Sequence, residues 1–268
     1  KFVIPDESIM YFISSEKYKK RNYIEYLLPE IKQFLDDNMI KEYEIDDDLY
    51  EQKRQIGEND NYICKLIRND SIEEFIVFVN KNNYSLSSKI NTSIYETNLF
   101  LLKNEPTLIE YAAFYGSIQI FQYLKLNNIK LTPSLWLYAI HSHNPEMIYL
   151  LEENQIELDK KSLTLCFKEA IKCHHNNLFD YILNNLFSEK CNKNNILILG
   201  LHFYNFYFCC CNNFTTDEFT NSVIFGCLCK YDYSYIVNFL LRCMKIYIQD
   251  MEILIQIKNL YSYYTQFA

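Results

Sequence analysis

The fold of this chain is predicted from residues 106–124, PTLIEYAAFYGSIQIFQYL. Thr107 and Glu110 have the spacing of a capping box, in which each side chain accepts a hydrogen bond from a backbone amide at the start of a helix. We therefore expect a helix to begin at Leu108, directly after the cap, because Pro106 prevents an earlier start.

A turn and a second helix follow within the same stretch. Ala112 and Ala113 have almost no side-chain volume, so a second helix can approach closely, and Gly116 readily adopts the positive φ that ends many helices. Beyond the turn, apolar residues recur at the spacing of a helix with one wide apolar face. The stretch thus predicts a helical hairpin whose second helix carries Ile118, Ile120, Phe121 and Leu124.

This hairpin resembles the ankyrin repeat, whose consensus runs from Thr-Pro-Leu-His through paired alanines to Gly-His and a second helix with paired leucines. Leu108 and Glu110 stand where the consensus has proline and histidine. The composition, rich in Asn, Lys and Tyr, and a helical region ahead of the repeats also resemble the divergent ankyrin proteins of some parasitic protists. The resemblance implies stacked hairpins that bind another protein without catalysis. It rests on Thr107, Ala112, Ala113, Gly116, Ile120 and Leu124.

The pattern recurs along the chain, and this recurrence does not depend on the family. Alignment on Ala112 brings Ala139 and Ala170 into the same column at successive offsets of 27 and 31 residues, and a period near 30 is typical of stacked helical hairpins. Segments that start at Leu66 and Leu228 align at longer offsets of 46 and 58 residues. We therefore predict an all-α chain, folded as an ankyrin-like solenoid of about five hairpins.

One column of this alignment makes a physical prediction of its own. The position of Gly116 is taken by Asp70, His143, His174 and Asp232 in the other units. Gly, Asp and His are among the residues that adopt positive φ at least cost. We therefore expect a left-handed turn residue after each first helix, and this expectation also explains why histidines occur there.

The repeats are expected to occupy residues 59–268, with the best units at 106–130, 131–158 and 159–187. Residues 1–58 have helical periodicity but no repeat, so we predict a helical N-terminal region that caps the array. A stack of repeats needs an end that differs from its middle, because a terminal unit would otherwise expose an apolar face.

Two local predictions concern the later units. Thr132 and Pro133 form an N-cap followed by proline at the first helical position, so a first helix is expected from Pro133. The longest apolar run, Ile196–Phe208, is shorter than the roughly 20 residues that span a bilayer, and it contains His202 and Asn205. We predict that this run is buried and that the chain does not insert into a membrane.

Composition and charge argue against several classes of function. The net charge of −8 disfavours a nucleic-acid scaffold held by phosphate contacts, and the short basic run Lys17–Arg21 is expected to be a solvated helix face. The start has no signal-peptide pattern, and the 10 cysteines lie at irregular spacings that favour a reducing compartment. We expect an intracellular, cytoplasmic monomer with reduced cysteines, a protein partner and no small-molecule substrate.

Catalytic motifs are absent from the sequence, which has no glycine-rich phosphate loop, no GxSxG elbow and no HExxH. A metal-binding or Cys/His-dependent enzyme site would have to use one group of soft ligands that lacks the short spacings of zinc sites. We therefore expect no metal, cofactor or catalytic residue. Two alternatives to a non-enzymatic scaffold are such a metal or enzyme site and a targeting module of a larger polypeptide. The group comprises Cys166, Cys173, His174, His175 and Cys191.

The resemblance also implies which residues contact a partner. In ankyrin repeats the two residues before the Gly-His position end the first helix on the concave surface and form the variable contact pair. Adjacent aromatic residues on a helix face different sides, so at least one of Phe114 and Tyr115 is expected at the surface unless a neighbouring unit covers it. Packing of both rings between repeats is the alternative. The pairs are Phe114 with Tyr115, His141 with Ser142, Lys172 with Cys173, and in the outer units Arg68 with Asn69 and Lys230 with Tyr231.

Overall fold

The computed structural model describes residues 21–35, 37–43, 48–186, 193–205 and 207. Within these ranges the chain is helical, and its one strand-like pairing is an isolated antiparallel bridge between Lys89 and Thr107. The prediction of an all-α chain is therefore confirmed for the described residues. The helices are α1 (Arg21–Ile31), a 3₁₀ turn (Lys32–Phe34), α2 (Asp37–Tyr43), α3 (Tyr50–Ile56), α4 (Tyr62–Arg68), α5 (Ile72–Lys81), α6 (Leu99–Asn104), α7 (Leu108–Tyr115), α8 (Ile118–Leu126), α9 (Leu135–Ser142), α10 (Pro145–Glu153), α11 (Lys160–Lys172), α12 (Asn176–Asn185) and α13 (Lys193–His202).

The chain divides into two compact units, residues 1–156 and 157–268. In the first unit, α4 with α5, α7 with α8 and α9 with α10 form three helical hairpins, and α7 packs against both α4 and α9. The second helices also meet, since α5 packs against α8. In the second unit, α11 and α12 form a hairpin, and α13 packs against α11. In the first unit, the first helices of successive hairpins therefore pack against one another.

The capping box at the start of α7 is confirmed. Thr107 Oγ1 accepts a hydrogen bond from the amide of Glu110 (3.5 Å), and Glu110 Oε2 accepts one from the amide of Thr107 (2.9 Å). The other carboxylate oxygen of Glu110 accepts a hydrogen bond from the hydroxyl of Ser134 (2.7 Å), which directly precedes α9. One side chain thus caps its own helix and joins that helix to the next hairpin.

A left-handed residue follows each of four first helices, as the alignment predicts. The φ angle is 69° at Gly116 and 50°, 49° and 60° at Asp70, His143 and His174. At Gly116 an added Cβ atom would lie 3.0 Å from Cβ of Asn144, so Asn144 of the next hairpin would have to shift by a few tenths of an ångström to admit a side chain there. Asp232, the last member of the predicted column, lies outside the described residues.

Side chains at these turns connect one hairpin to the next. Ser117 and Asn144 each donate a hydrogen bond to a backbone carbonyl of the preceding hairpin. Asp70 instead reaches forward to the next hairpin. Its carboxylate accepts hydrogen bonds from the amides of Gln119 (2.9 Å) and Ile120 (3.0 Å) at the start of α8. A carboxylate there also faces the positive end of the helix dipole. The turns therefore fix how neighbouring hairpins align.

The second helices of the hairpins all end in the same way, and the sequence analysis missed this recurrence. An asparagine at the end of each helix donates from Nδ2 to the carbonyl four residues earlier, at 2.6–2.9 Å. In the first unit a left-handed residue follows the asparagine each time, namely Asn83, Asn128 and Gln155. The hairpins thus repeat at both of their turns. The capping residues are Asn82, Asn127, Asn154 and Asn185.

The start of α9 differs from the prediction. The helix begins at Leu135 and not at Pro133, because residues 132–134 form a turn in which the amide of Leu135 donates to the carbonyl of Thr132 (3.0 Å). The hydroxyls of Thr132 and Ser134 hydrogen-bond to each other at 2.7 Å. The side chain that was expected to cap the helix is therefore used within the turn.

The apolar run that begins at Ile196 lies largely in α13. Ile196 and Leu201 are buried, and a left-handed residue, Tyr204 (φ 57°), follows the helix. Asn205 Nδ2 then donates to the carbonyl of Ile171 in α11 (2.9 Å), as the turn side chains of the first unit do. The end of α13 thus resembles the ends of the first helices in its left-handed residue and in its side-chain hydrogen bond to the preceding hairpin. The unit that the alignment starts at residue 228 lies outside the described residues. No helix in the described part of the chain is long and apolar enough to cross a membrane.

Candidate functional site

Residues at the ends of the first helices form a continuous row in the first compact unit. The Arg68 guanidinium lies 5.9 Å from the ring centroid of Tyr115, and the Tyr115 ring meets Phe114 edge-on at 5.0 Å. Phe114 in turn stacks on His141 at 4.9 Å. Because these side chains come from α4, α7 and α9, the row crosses three consecutive hairpins. We call Arg68, Phe114, Tyr115 and His141 the first-helix row.

Phe114 is the buried member of the row, with 8% of its surface exposed. Phe100 from α6 stacks on it with ring centroids 6.0 Å apart and planes 18° apart. The same Phe100 ring contacts His141 at 4.2 Å and Tyr138 at 5.1 Å. Phe114 therefore packs behind the surface, because a neighbouring segment covers it. The expectation that one of Phe114 and Tyr115 is exposed made an exception for such a cover.

Tyr115 is half-buried and belongs to a small aromatic group. Its ring contacts Tyr111 at 4.8 Å, one turn earlier in α7, and the Arg68 guanidinium packs over it. Burial raises the pKa of the Tyr115 phenol to about 12, so its hydroxyl stays protonated at neutral pH. The residue thus offers a ring and a neutral hydroxyl rather than a charge.

Arg68 is held in place by one ion pair and two hydrogen bonds. Its Nε lies 2.9 Å from a carboxylate oxygen of Glu58. Its Nη1 donates to the carbonyl of Asn59 (2.8 Å) and to the hydroxyl of Tyr111 (3.0 Å). A guanidinium with several fixed partners presents its planar face in one orientation. The row therefore contains one cation whose position is set by the residues before α4.

His141 and Ser142 end α9. His141 is half-buried against the rings of Phe100 and Phe114. Ser142 Oγ donates to the carbonyl of Ala139 (2.7 Å) and accepts a hydrogen bond from the amide of Asn144 (3.1 Å). Ser142 therefore takes part in the turn, while His141 extends the first-helix row.

Lys172 and Cys173, the third predicted contact pair, lie in the second compact unit. Lys172 is exposed, and its Nζ lies 2.7 Å from a carboxylate oxygen of Glu169. Cys173 is half-buried, and burial raises the pKa of its thiol to about 11. The structure thus brings Phe114, Tyr115 and His141 together in the first unit and places this pair in the other.

The Cys/His group is spread over α11 and the turn that follows it. Cys166 is fully buried within the helix, His174 occupies the left-handed turn position, and His175 stands at the N-cap of α12. Among the four described members, no three have ligand atoms within 4.8 Å of one another. Cys191 lies outside the described residues.

The thiols of the described cysteines are poorly suited to nucleophilic chemistry. Burial raises the pKa of both Cys166 and Cys64 to about 12, and a nucleophilic cysteine needs a lowered pKa instead. Cys64, Cys166 and Cys173 form no disulfide. The geometry around these residues is that of packed helix positions.

Sequence reasoning did not predict that the connection between α5 and α7 contributes to the first-helix row. This segment supplies Phe100, which covers Phe114, and a buried carboxyl, Glu96. One local signal was available, since the side chain of Asn98 caps α6 through the amides of Phe100 (3.0 Å) and Leu101 (3.3 Å). That cap predicts that a helix begins at this point, but it does not predict where the ring of Phe100 lies.

Comparison of the chain with protein-family models, with curated proteins and with solved structures found no match.

Proposed function

We propose that this chain is a non-enzymatic scaffold of ankyrin-like helical hairpins that binds a protein partner along the first-helix row. The observation that carries the proposal is the continuity of the row, in which Arg68, Tyr115, Phe114 and His141 touch in sequence across three hairpins. In the ankyrin resemblance, these positions correspond to the variable pair on the concave surface. The proposal assigns no reaction to the chain.

The chemistry of the row supports a protein as the ligand. Tyrosine and arginine are enriched among the residues that contribute most to binding at protein interfaces. Tyr115 is packed against Tyr111, and Arg68 is fixed by Glu58, so both side chains lose little further freedom when a partner binds. The exposed parts of Tyr115, His141 and Arg68 are therefore pre-ordered for a partner that offers apolar side chains beside backbone carbonyls or carboxylates.

The test is affinity capture or proximity labelling with the intact chain and three matched variants. Tyr115→Ala removes the centre of the row and should weaken a captured partner by about 1–4 kcal/mol, as loss of a hot-spot residue does. Tyr149→Ala removes a tyrosine of α10 that is 62% exposed and lies outside the row, so it should leave capture unchanged.

A third variant separates lost contact from lost stability, because Tyr115 also packs within the protein. Val79→Ala removes a buried side chain of α5 that is not part of the row. Thermal unfolding of each variant is measured alongside capture. Loss of the partner with Tyr115→Ala alone supports the proposal, whereas equal loss with Val79→Ala, or retention in all three variants, contradicts it.

A further inference from the structure

The ring of Phe100 lies in a socket that includes two members of the first-helix row. It stacks on Phe114 at 6.0 Å, with the planes 18° apart, and meets Tyr138 edge-on at 5.1 Å. The ring of His141 lies on a third side at 4.2 Å. Offset-stacked and edge-on contacts are the arrangements that aromatic rings prefer. The socket therefore fits a phenyl group, and the chain itself fills it. We call Phe114, Tyr138 and His141 the phenyl socket.

The segment that carries this ring, residues 98–105, is anchored just outside its two ends, and we call it the strap. Before it, the amide and the hydroxyl of Thr97 donate to the carbonyl of Gly57 (3.0 and 2.8 Å). After it, the carbonyl of Pro106 accepts a hydrogen bond from the amide of Ile90 (2.7 Å). The hydrogen bonds and the ion pair of the strap are made within the connection itself, so none joins it to α7 or α9 in the described part of the chain.

Two apolar side chains hold the strap between these anchors. Phe100 is half-buried in the phenyl socket, and Leu101 has 3% of its surface exposed. Much of α6 otherwise faces solvent, since Leu99, Lys103 and Asn104 are exposed. A helix of six residues is not stable alone, so its position depends on the packing of these two side chains. The strap can therefore leave the row without breaking a hydrogen bond to another helix.

We propose that the strap is a displaceable cover of the first-helix row, and that a phenylalanine side chain of the protein partner replaces Phe100 in the phenyl socket. The proposal rests on the scaffold function proposed above and names the side chain that the row receives. A ring fits because the socket already holds one, whereas an aliphatic side chain has no flat face to set against Phe114 and Tyr138. Opening of the cover also exposes Phe114, the buried member of the row.

The first test asks whether the emptied socket binds a phenyl group. Phe100→Ala empties it, and the probe is Nα-acetyl-phenylalanine methylamide, titrated into the whole chain while NMR follows the imidazole protons of the 5 histidines. We expect a saturable shift of His141 back toward its wild-type position, because a ring returns to its side, at a Kd of about 1–10 mM for so small a ligand. Absence of a saturable shift at His141 in folded Phe100→Ala overturns the proposal.

Matched controls separate the socket from general binding. Wild type and Leu99→Ala keep the ring of Phe100, so the probe should bind both at least about tenfold more weakly, because only the open form is competent. Nα-acetyl-leucine methylamide has no ring and should bind Phe100→Ala at least about threefold more weakly than the probe does. Equal binding of the probe by wild type and Phe100→Ala, or equal binding of the two compounds, overturns the proposal.

Hydrogen exchange of the wild-type protein tests the cover even if Phe100→Ala does not fold. Leu102 and Tyr111 are matched amides, because each donates to the carbonyl of the N-cap residue of its helix (3.0 and 2.9 Å). The protection factor of Leu102 should be at least about 100-fold lower than that of Tyr111, since a displaceable segment opens without global unfolding.

The same exchange measurement is repeated with the probe. At about 10 mM it should speed exchange of Leu102 at least about twofold and leave Tyr111 unchanged, because only the open form of the strap binds it. A merely frayed helix would not respond to the probe. Equal protection of the two amides, or no response of Leu102, overturns the proposal.

These tests use the chain alone, so their failure is distinguishable from failure of the scaffold function. Affinity capture with Tyr115→Ala tests whether the row binds a partner at all. If capture depends on Tyr115 but the probe experiments fail, the row binds its partner with the strap in place and the proposal is wrong. If the probe experiments succeed but capture does not depend on Tyr115, the cover stands and the scaffold function of the row is wrong.

Discussion

The hairpins at 106–156 and the connection at 84–105 belong to the same compact unit, but they are built in opposite ways. In the hairpins the same devices recur: a left-handed residue after each first helix, an asparagine cap at the end of each second helix, and a side chain that reaches the preceding hairpin. The connection shares one of these devices, since Asn104 at the end of α6 donates from Nδ2 to the carbonyl of Phe100 (2.8 Å) and the left-handed residue Glu105 follows it. It differs in having a single helix, and it contributes Phe100 to the first-helix row and a buried carboxyl, Glu96, to the interior of the unit.

The difference shows where packing and chemistry reside in this chain. The polar groups at the repeated positions form hydrogen bonds within their own turn or with the adjacent hairpin. They therefore determine how the hairpins stack and leave few polar groups for a ligand. The connection crosses over the ends of the hairpins and brings in side chains that the repeat lacks. We therefore expect mutations in the hairpins to change stability most, and mutations in the connection to change the first-helix row.

The largest expected effect is overpacking at the first helices. Ala112 is fully buried in α7, which packs against α4 and α9. Ala112→Leu adds three carbon atoms with no space for them and should lower the free energy of unfolding by about 3 kcal/mol in urea denaturation. Gln122→Leu introduces the same residue at an exposed position of α8 and should alter stability by less than about 0.5 kcal/mol. If Ala112→Leu lowered the free energy of unfolding as little as Gln122→Leu does, the first helices would not be closely packed.

The next effect tests whether the connection supports the row. Phe100 is half-buried and covers Phe114 and His141, so Phe100→Ala should cost about 2 kcal/mol, roughly half the loss at a fully buried phenylalanine. It should also expose Phe114, which solvent-accessibility labelling of aromatic residues can measure. Leu99→Ala is the matched control, since Leu99 is the neighbouring residue of α6 and is 72% exposed. Unchanged labelling of Phe114 would show that Phe100 does not cover it.

These two regions also differ in how far the sequence predicts them. The capping box of Thr107 and Glu110 and the positive φ of Gly116 and His143 follow from the chemistry of residues close in the chain. The placement of Phe100 on His141 joins side chains 41 positions apart, and no local pattern encodes such a contact.

Local signals also failed in two places. Thr132 and Pro133 have the pattern of a helix start, but the hydroxyl of Thr132 bonds to Ser134 and the helix begins later. The capping asparagines were visible in the sequence as Asn82, Asn127, Asn154 and Asn185, but asparagine is abundant in this chain, which concealed their period. The burial of Glu96 could not be predicted, because it depends on segments that meet only in the folded unit.

A smaller effect distinguishes the turn after a first helix from the turn after a second helix. Gly116 and Gln155 both have positive φ, 69° and 50°, but Gly116 also lies against Asn144 whereas Gln155 is exposed. Gly116→Ala should lower stability by about 1–2 kcal/mol, since it adds both strain and a clash. Gln155→Gly relieves the strain and should raise stability by about 0.5–1 kcal/mol. Thermal unfolding of both variants checks the signs, and destabilisation by Gln155→Gly would show that the glutamine side chain contributes more than the backbone strain costs.

The smallest expected effect is a pH dependence that originates in the connection. Burial raises the pKa of Glu96 above its ordinary value of 4.5, although the amides of Asn98 and Asn59 and the charge of Arg68 oppose the rise. Between the ordinary and the raised value, the folded protein binds more protons at Glu96 than the unfolded chain does. The stabilising contribution of this proton is therefore complete below 4.5 and is lost as the pH rises through the raised value. Wild type should gain stability relative to Glu96→Gln as the pH is lowered through that window, measured by urea denaturation. A difference between the two proteins that does not change with pH would mean that Glu96 titrates alike in the folded and unfolded states.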